Sequence, residues 1–420
     1  MRVAISRSRI SGSIQAPSSK SYTLRALMCA ALADGLSEIE SPLYADDTEA
    51  GREALGKIGV EISEKDGSWL VSGGSFRQPD SELFCRDSAG TLRFMTAICS
   101  LVPGACRLTA GLSLSRRPIA PLVEALKLLG VDCTTDGSAA VTIRGGRLKG
   151  GAAGLPGDIS SQLVSALLFI APRAEEGMSI ELAPPVESKP YVDMTIGCMK
   201  KFGVRVERSP DDLKFEIKPQ AYRPARYRVE GDWSSASYLL ALGAVAGDVH
   251  VSNLNRSSLQ ADREILTLLK HMGADLQSRG DGVRARKAQL KALKADLSDC
   301  IDLLPTMAVL AATARGESTL SGISRARLKE SDRVAAVKEG LQRMGITVRE
   351  ERDSMYITGG RPAGCAIDSK GDHRIAMAFS IPGALAGNTV IESAECVNKT
   401  YPDFWAGLKG LGGEVVLNEQ

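Results

Sequence analysis

Along this chain an amphipathic helical pattern that stops at a glycine recurs six times, in "ALGKIGVEI", "ALKLLGVDC", "CMKKFGVRV", "LLKHMGADL", "GLQRMGITV" and "GLKGLGGEV". The shared glycines, Gly59, Gly130, Gly203, Gly273, Gly345 and Gly412, lie 71, 73, 70, 72 and 67 residues apart. Glycine at that place predicts a helix-ending residue in the left-handed conformation, where a Cβ would clash. Most of these glycines are followed by an alternating stretch, a polar turn and a second alternating stretch, as in "VEISEKDGSWLVSGG" and "ITVREERDSMYITGG". That is the pattern of a hairpin. The chain therefore reads as six copies of one unit that ends helix, strand, turn, strand.

A more polar series keeps step with the first. Where each unit's earlier helix should begin stand "SSKS", "RDSAGT", "GDISSQ", "GDWSSAS", "DLLPT" and "GDHR". Asp87, Asp158, Asp232, Asp302 and Asp372 recur at spacings of 71, 74, 70 and 70. Helix capping accounts for Asp and Ser at such places. A second reading coexists with it: several helix N-termini, each with unpaired N–H groups and partial positive charge, make anion sites.

Cations bear on that choice. Lys20 and Arg25 sit at the first unit's helix start, Arg93 at the second's and Arg374 at the last's, while "LKESDR" adds Lys329 and Arg333 in a loop. A cation near a helix N-terminus opposes the dipole unless an anion lies between them. Scattered surface charge explains any one of these residues; recurrence favours a bound anion.

Composition narrows the class. The 420 residues suggest two or three domains, and 44% hydrophobic with 24% charged residues reads as globular. Lys+Arg 52 against Asp+Glu 50 gives a net charge of +2, so no global charge draws the chain to nucleic acid or membrane. No apolar run approaches the ~20 residues of a membrane span, and the start of the chain has no apolar signal core. Nine cysteines without a C-x-x-C pair and three histidines support neither a disulfide framework nor a metal site. The expectation is a cytoplasmic protein with no metal and no cofactor.

Two carboxylates and two lysines stand among the cations: Asp302 before "LLPTMAVLAATA", Glu330 in "LKESDR", Lys20 in "SSKS" and Lys399 in "NKTYPD". Alone, each suits a cap or a solvated charge; together they offer a cationic pocket with acids tunable toward proton transfer. "GREALGKI" imitates a phosphate-binding loop, but Ile58 replaces the required hydroxyl and the stretch falls within a helix. His373 could act as a base, and no second histidine or cysteine stands at ligand spacing.

The ordered set "SSKSYTLRAL", "SRRPI", "ISSQL", "ESKPY", "EGDWSSASY", "LKESDR", "GDHRIAMAF" and "NKTYPDFW", spanning nearly the whole chain, resembles the 5-enolpyruvylshikimate-3-phosphate synthase family. The resemblance implies an α/β fold of two domains, each of three β-α-β-α-β-β repeats, in an inside-out barrel-like arrangement. It places residues 1–16 and 229–420 in one domain and 17–228 in the other, with a hinge near 17–21 and 228–232 that closes around the substrates. The implied reaction moves the enolpyruvyl group of phosphoenolpyruvate to the 5-hydroxyl of shikimate 3-phosphate, releasing phosphate.

By the same resemblance the shikimate 3-phosphate side is Lys20, Ser21, Arg25, Ser160, Ser161, Gln162, Ser188, Tyr191, Asp302 and Lys329. The phosphoenolpyruvate side is Lys20, Gly90, Arg117, Gln162, Arg333, Arg374 and Lys399. Asp302 is the expected base for the hydroxyl, with Glu330 and Lys20 sharing proton transfer at the methylene carbon. Arginine suits such places because its planar fork grips carboxylate and phosphate through two hydrogen bonds.

Two departures stand out. "DSAGTLR" is a residue shorter than the family's usual stretch if aligned on Gly90, and alignment on Arg93 puts Ala89 at the usual glycine. That bears on the phosphoenolpyruvate walls and on sensitivity to glyphosate, the family's inhibitor. Arg325 stands where some members carry Asn. The rival readings are a UDP-sugar enolpyruvyl transferase, whose mobile loop usually bears a cysteine that "AGLSLSRRPI" lacks, and a non-catalytic phosphate- or RNA-binding module. Near-zero net charge and 5% aromatics leave little for base stacking. Small-molecule substrates are the expected partners, and a monomer the expected state.

Overall fold

The computed structural model describes residues 1–115, 117–137 and 139–418. Twelve α-helices run in order: α1 (Lys20–Leu32), α2 (Asp46–Lys57), α3 (Ala89–Ile98), α4 (Ala120–Leu128), α5 (Ser161–Ile170), α6 (Lys189–Lys201), α7 (Trp233–Ala246), α8 (Ile265–His271), α9 (Leu304–Thr313), α10 (Arg333–Arg343), α11 (His373–Ala386) and α12 (Phe404–Gly410). They alternate with strands that form six four-stranded sheets. Among the described residues no helix is long and apolar enough to cross a membrane.

The repeat is visible in the backbone. Gly59, Gly130, Gly203, Gly273, Gly345 and Gly412 all lie at positive φ, between 81° and 99°, just beyond the second helix of each unit. Five of the hairpins follow, for example Glu61–Lys65 against Ser68–Gly73 with Lys65 opposite Ser68. In the sixth unit the strand Val415–Asn418 pairs instead with Arg2–Ile5 from the start of the chain, Ile5 opposite Val415.

The chain divides into two compact units, one of Met1–Pro17 with Gly231–Gln420 and one of Ser18–Glu230. Strand exchange closes each. Ile10–Gln15 leads into α1 but pairs in parallel with Gly247–Ser252, the strand after α7. Arg226–Arg228 leads toward α7 but pairs in parallel with Gly35–Glu40, the strand after α1. The crossing segments are tied within each unit: Asp232 N donates to Pro17 O, and Ser19 N to Glu230 O, both at 2.8 Å.

Within a unit, the first helix of each repeat is apolar nearly all round and lies at the centre; the second is amphipathic and closer to the surface. In the Ser18–Glu230 unit, α1, α3 and α5 are central, with Tyr22–Leu32 buried along all of α1. In the other, α7, α9 and α11 pack on one another. Glycine sets one approach that matters below: a Cβ on Gly340 of α10 would lie 2.3 Å from the Phe379 ring of α11. Its absence lets α10, which begins with Arg333, sit against α11, which carries Arg374.

Candidate active site

The polar series marks the starts of the central helices, but its aspartates do not all cap them. Asp232 caps α7 through Ser235 N at 2.7 Å, and Asp372 caps α11 through Arg374 N at 3.0 Å. Ser88 caps α3 and Ser160 caps α5, so Asp87 and Asp158 are not the capping residues. Asp302 caps nothing. It lies in the short turn Ile301–Leu303, and α9 starts from Leu303 without a side-chain cap. The capping explanation for Asp302 therefore falls, and its carboxylate is spoken for by cations.

Those cations are close. In the unit that holds α7 to α12, Asp302 Oδ1 is 2.7 Å from Arg333 Nη1 and 3.3 Å from Lys329 Nζ, and Oδ2 is 3.0 Å from Arg374 Nη2. Burial alone would push the Asp302 carboxyl up, but Arg374, Lys329 and Arg333 together hold it well below the usual carboxylate range. Arg333, 1% exposed, also donates through Nε to Asp372 Oδ2 at 2.8 Å and through Nη2 to Glu330 Oε2 at 2.5 Å. Burial opposes its charge, and Asp372, Glu330 and Asp302 more than restore it. Arg333 is not in a loop, as the sequence suggested: Asp332 caps α10 and Arg333 opens it. Lys399, at the end of the turn Ala394–Lys399, has its Nζ 3.8 Å from Glu330 Oε1.

This cluster holds Lys329, Arg333, Arg374 and Lys399 against Asp302, Glu330 and Asp372, an excess of one positive charge. Such a set suits a polyanion: the arginine forks are held in place by carboxylates that a phosphate or carboxylate of a ligand can partly replace. Tyr238 of α7 steadies Arg374, accepting from Nη1 at 3.4 Å. Burial pushes the Tyr238 phenol up to about 12, so it stays neutral.

The Ser18–Glu230 unit gathers a second group. Ser19 caps α1, and Lys20, its first residue, has Nζ 3.0 Å from Asp47 Oδ2 on α2. Arg25 is buried and cross-links α1 to α6, donating to Thr195 Oγ1 at 2.9 Å, Tyr191 O at 3.2 Å and Ser21 O at 3.0 Å. Three of its five N–H groups are thus used inside the unit. Ser188 ends the turn before α6 in the left-handed region, φ 56° and ψ 36°, a conformation that for serine marks a constrained site.

Arg93 organises the remainder. Its Nη1 donates to Gln162 Oε1 at 2.7 Å and Ser160 Oγ at 3.1 Å, and its Nη2 to Pro118 O at 3.1 Å. One guanidinium thereby joins the loop bearing Arg117 to the start of α5, where Ser160, Ser161 and Gln162 lie. Arg116, in the same "SRRPI" motif, lies outside the described residues. Gly90 is in the first turn of α3, where a Cβ would stand 3.2 Å from Leu24 Cδ1 and 3.9 Å from Gln162 Nε2. Arg325 donates to Ser298 O at 2.5 Å.

Sequence reasoning assigned no site role to Asp47, Arg93, Tyr238 or Asp372. Arg93 stands among the cations at helix starts and Asp372 in the polar series; Asp47 and Tyr238 carry no local signal, because their partners are distant in the chain.

Known proteins match this chain in sequence and in fold. The sequence profile of EPSP synthase (3-phosphoshikimate 1-carboxyvinyltransferase) matches residues 5–408. A 3-phosphoshikimate 1-carboxyvinyltransferase of Dehalococcoides mccartyi is 50% identical, covering 99% of both chains, and one of Methanothermobacter thermautotrophicus is 42% identical over 97% of this chain and 98% of its own. The solved EPSP synthase of Acinetobacter baumannii superposes with a TM-score of 0.84 at 27% identity, covering 99% of this chain and 100% of that one. An enolpyruvyl transferase, NikO of Streptomyces tendae, shares the fold with a TM-score of 0.79 at 18% identity, over 99% and 98% of the two chains.

Proposed function

This chain belongs to the EPSP synthase (3-phosphoshikimate 1-carboxyvinyltransferase) family, and from that premise we propose how its residues divide the reaction. The chain transfers the enolpyruvyl group of phosphoenolpyruvate to the 5-hydroxyl of shikimate 3-phosphate and releases phosphate, a step toward aromatic amino acids. A bond forms between the acceptor oxygen and the enol carbon, the bond from that carbon to the phosphate oxygen breaks to release phosphate, and the hydroxyl proton must leave.

Asp302 takes that proton. The observation that carries this reading is the hold of Lys329, Arg333 and Arg374 on its carboxylate. In the ligand-free protein those charges make it a weak base. Phosphoenolpyruvate offers Arg333, Arg374 and Lys399 a phosphate and a carboxylate, and each donor so engaged returns proton affinity to Asp302. Glu330, between Arg333 and Lys399, and Lys20, beside Asp47, serve proton transfer at the methylene carbon.

In the other unit, Ser160, Ser161, Gln162, Ser188 and Tyr191 hold shikimate 3-phosphate. Gly90, Arg117 and Gln162 line the phosphoenolpyruvate side, held in register by Arg93. Arg25 serves the acceptor by fixing Ser21 and Tyr191. The protein acts as a monomer, in keeping with two units that each enclose their own core. Its nine free cysteines, seven of them buried, suit a reducing cytoplasm. Phosphate release from phosphoenolpyruvate that depends on shikimate 3-phosphate tests the reaction. Equal release with a UDP-sugar acceptor would overturn the acceptor assignment.

A further inference from the structure

One buried carboxyl beside this site has no role in the reading above. Asp262, 1% exposed, lies in the short turn Ala261–Glu264, which packs on the start of α7. That turn is fastened by Gln260, whose Oε1 accepts from Trp233 N at 3.0 Å and whose Nε2 donates to Gly231 O at 2.8 Å. The Ser234 hydroxyl of α7 donates to Asp262 Oδ2. Asp262 Oδ1 has no hydrogen-bond partner among the described residues, although it is shielded from solvent. A carboxyl kept only for structure is expected to have both oxygens satisfied.

Its surroundings lead to Asp302. The turn bearing Asp302 packs on the same helix α7. Ser234 stands one turn before Tyr238, whose hydroxyl accepts from Arg374, and Arg374 in turn donates to Asp302. We propose that Asp262 is a positioning residue for the transfer reaction, a second carboxyl whose charge sets how readily Asp302 takes the acceptor's proton. The inference rests on the assignment of Asp302 as the base.

The electrostatics agree in direction. Burial, then the charge of Asp302, raise the Asp262 carboxyl to about 7, against Arg374 and the Ser234 hydrogen bond, with Asp232 adding to the rise. Also bearing on this corner are the Cys300 thiol ahead of Asp302, pushed up by burial and by the charges of Asp262, Glu264, Asp299 and Asp296, and the exposed Arg263 of the same turn. Below neutrality Asp262 is neutral and the cations pull undiluted on Asp302. Above it, the Asp262 charge offsets part of that pull and Asp302 becomes the better base.

The test is kcat against pH from 5.5 to 9, with both substrates saturating, for the wild type, Asp262→Asn, Ser234→Ala and Asp302→Asn. The wild-type kcat is expected to climb roughly threefold to tenfold through neutrality, as Brønsted behaviour of a base implies. In Asp262→Asn it stays flat at the acid plateau with both KM values within about twofold, because only the base is weakened. Ser234→Ala, which loses the hydrogen bond favouring the charged form, moves the climb to higher pH. A limb from substrate phosphates would survive in Asp262→Asn. An unchanged climb there, or, if that variant does not fold, an unmoved climb in Ser234→Ala, overturns the proposal. Failure of the underlying base assignment is separate: Asp302→Asn would keep its turnover.

Discussion

Asp372 tests whether the cation cluster is built as described. It is fully buried, accepts from Arg333 Nε at 2.8 Å and Ser331 Oγ at 3.0 Å, and caps α11 through Arg374 N. Asp372→Ala removes the counter-charge of a guanidinium that is 1% exposed. Breaking a buried pair from one side costs about 3–5 kcal/mol. Arg333 keeps Asp302 and Glu330, which places this case at the lower end, and the lost cap adds about 1 kcal/mol. The total is about 4 kcal/mol. Asp372→Asn keeps Oδ1 for the cap but sets an amide NH2 where Oδ2 accepted from Ser331 and Arg333, so it loses the pair without the cap and about 3 kcal/mol is expected. Urea unfolding, following the transition of the unit that contains α7 to α12, measures both. An Ala variant within about 1 kcal/mol of wild type would refute the argument, since that is the cost of an exposed pair. Equal losses for Asn and Ala would show that the cap contributes nothing.

Three further outcomes follow from the same geometry. Arg25→Lys gives up a planar fork that reaches Thr195, Tyr191 and Ser21 at once, and thermal melting should report a loss of about 2–3 kcal/mol; a melting point unchanged within a degree would contradict it. Arg93→Ala frees Gln162 and the Pro118 loop, so KM for phosphoenolpyruvate should rise roughly tenfold, the equivalent of one lost hydrogen bond to a charged group, and an unchanged KM would remove Arg93 from the site. The third outcome concerns pH. The folded-state carboxyl of Asp302 is depressed below its unfolded value of 3.8, so its contribution to stability is present above that value and lost as pH falls below it. Urea midpoints measured down to pH 3 should fall more steeply for wild type than for Asp302→Asn; parallel curves would mean that the cations do not hold the carboxylate.

What the sequence revealed and what it hid have physical causes. The six helix-ending glycines were legible because a positive φ leaves one residue type in one place, and all six adopt it. Apolar central helices and their serine and aspartate starts were legible for the same local reason. Local reasoning could not decide which residue caps. Ser88 and Ser160 take the position one and two residues after the aspartates of the series, and Asp302 is turned away from the helix end. The exchanged strands were legible only through the family resemblance, which put residues 1–16 with 229–420; locally, Ile10–Gln15 pairs with Gly247–Ser252, more than two hundred residues on, and nothing in either stretch names its partner. The same distance hid the pairs Lys20 with Asp47, Arg25 with Thr195 and Arg333 with Asp372, which become visible only when the helices are packed. The cations were found in advance, and so were Asp302 and Glu330; that Asp47 holds Lys20 and Asp372 holds Arg333 was not.

Asp302→Asn measures the central claim most directly. The amide keeps the shape and one acceptor oxygen but cannot take a proton at neutral pH, and because Asp302 caps no helix, a capping loss cannot be mistaken for a catalytic one. Turnover, followed as phosphate release with both substrates saturating, should fall by roughly 10² to 10⁴, the usual contribution of a general base. Calorimetric binding of shikimate 3-phosphate should change far less, since the hydroxyl can still donate to the amide oxygen. Turnover within about threefold of wild type, in a variant that still binds the acceptor, would contradict the account and send the hydroxyl proton to Glu330 or to water.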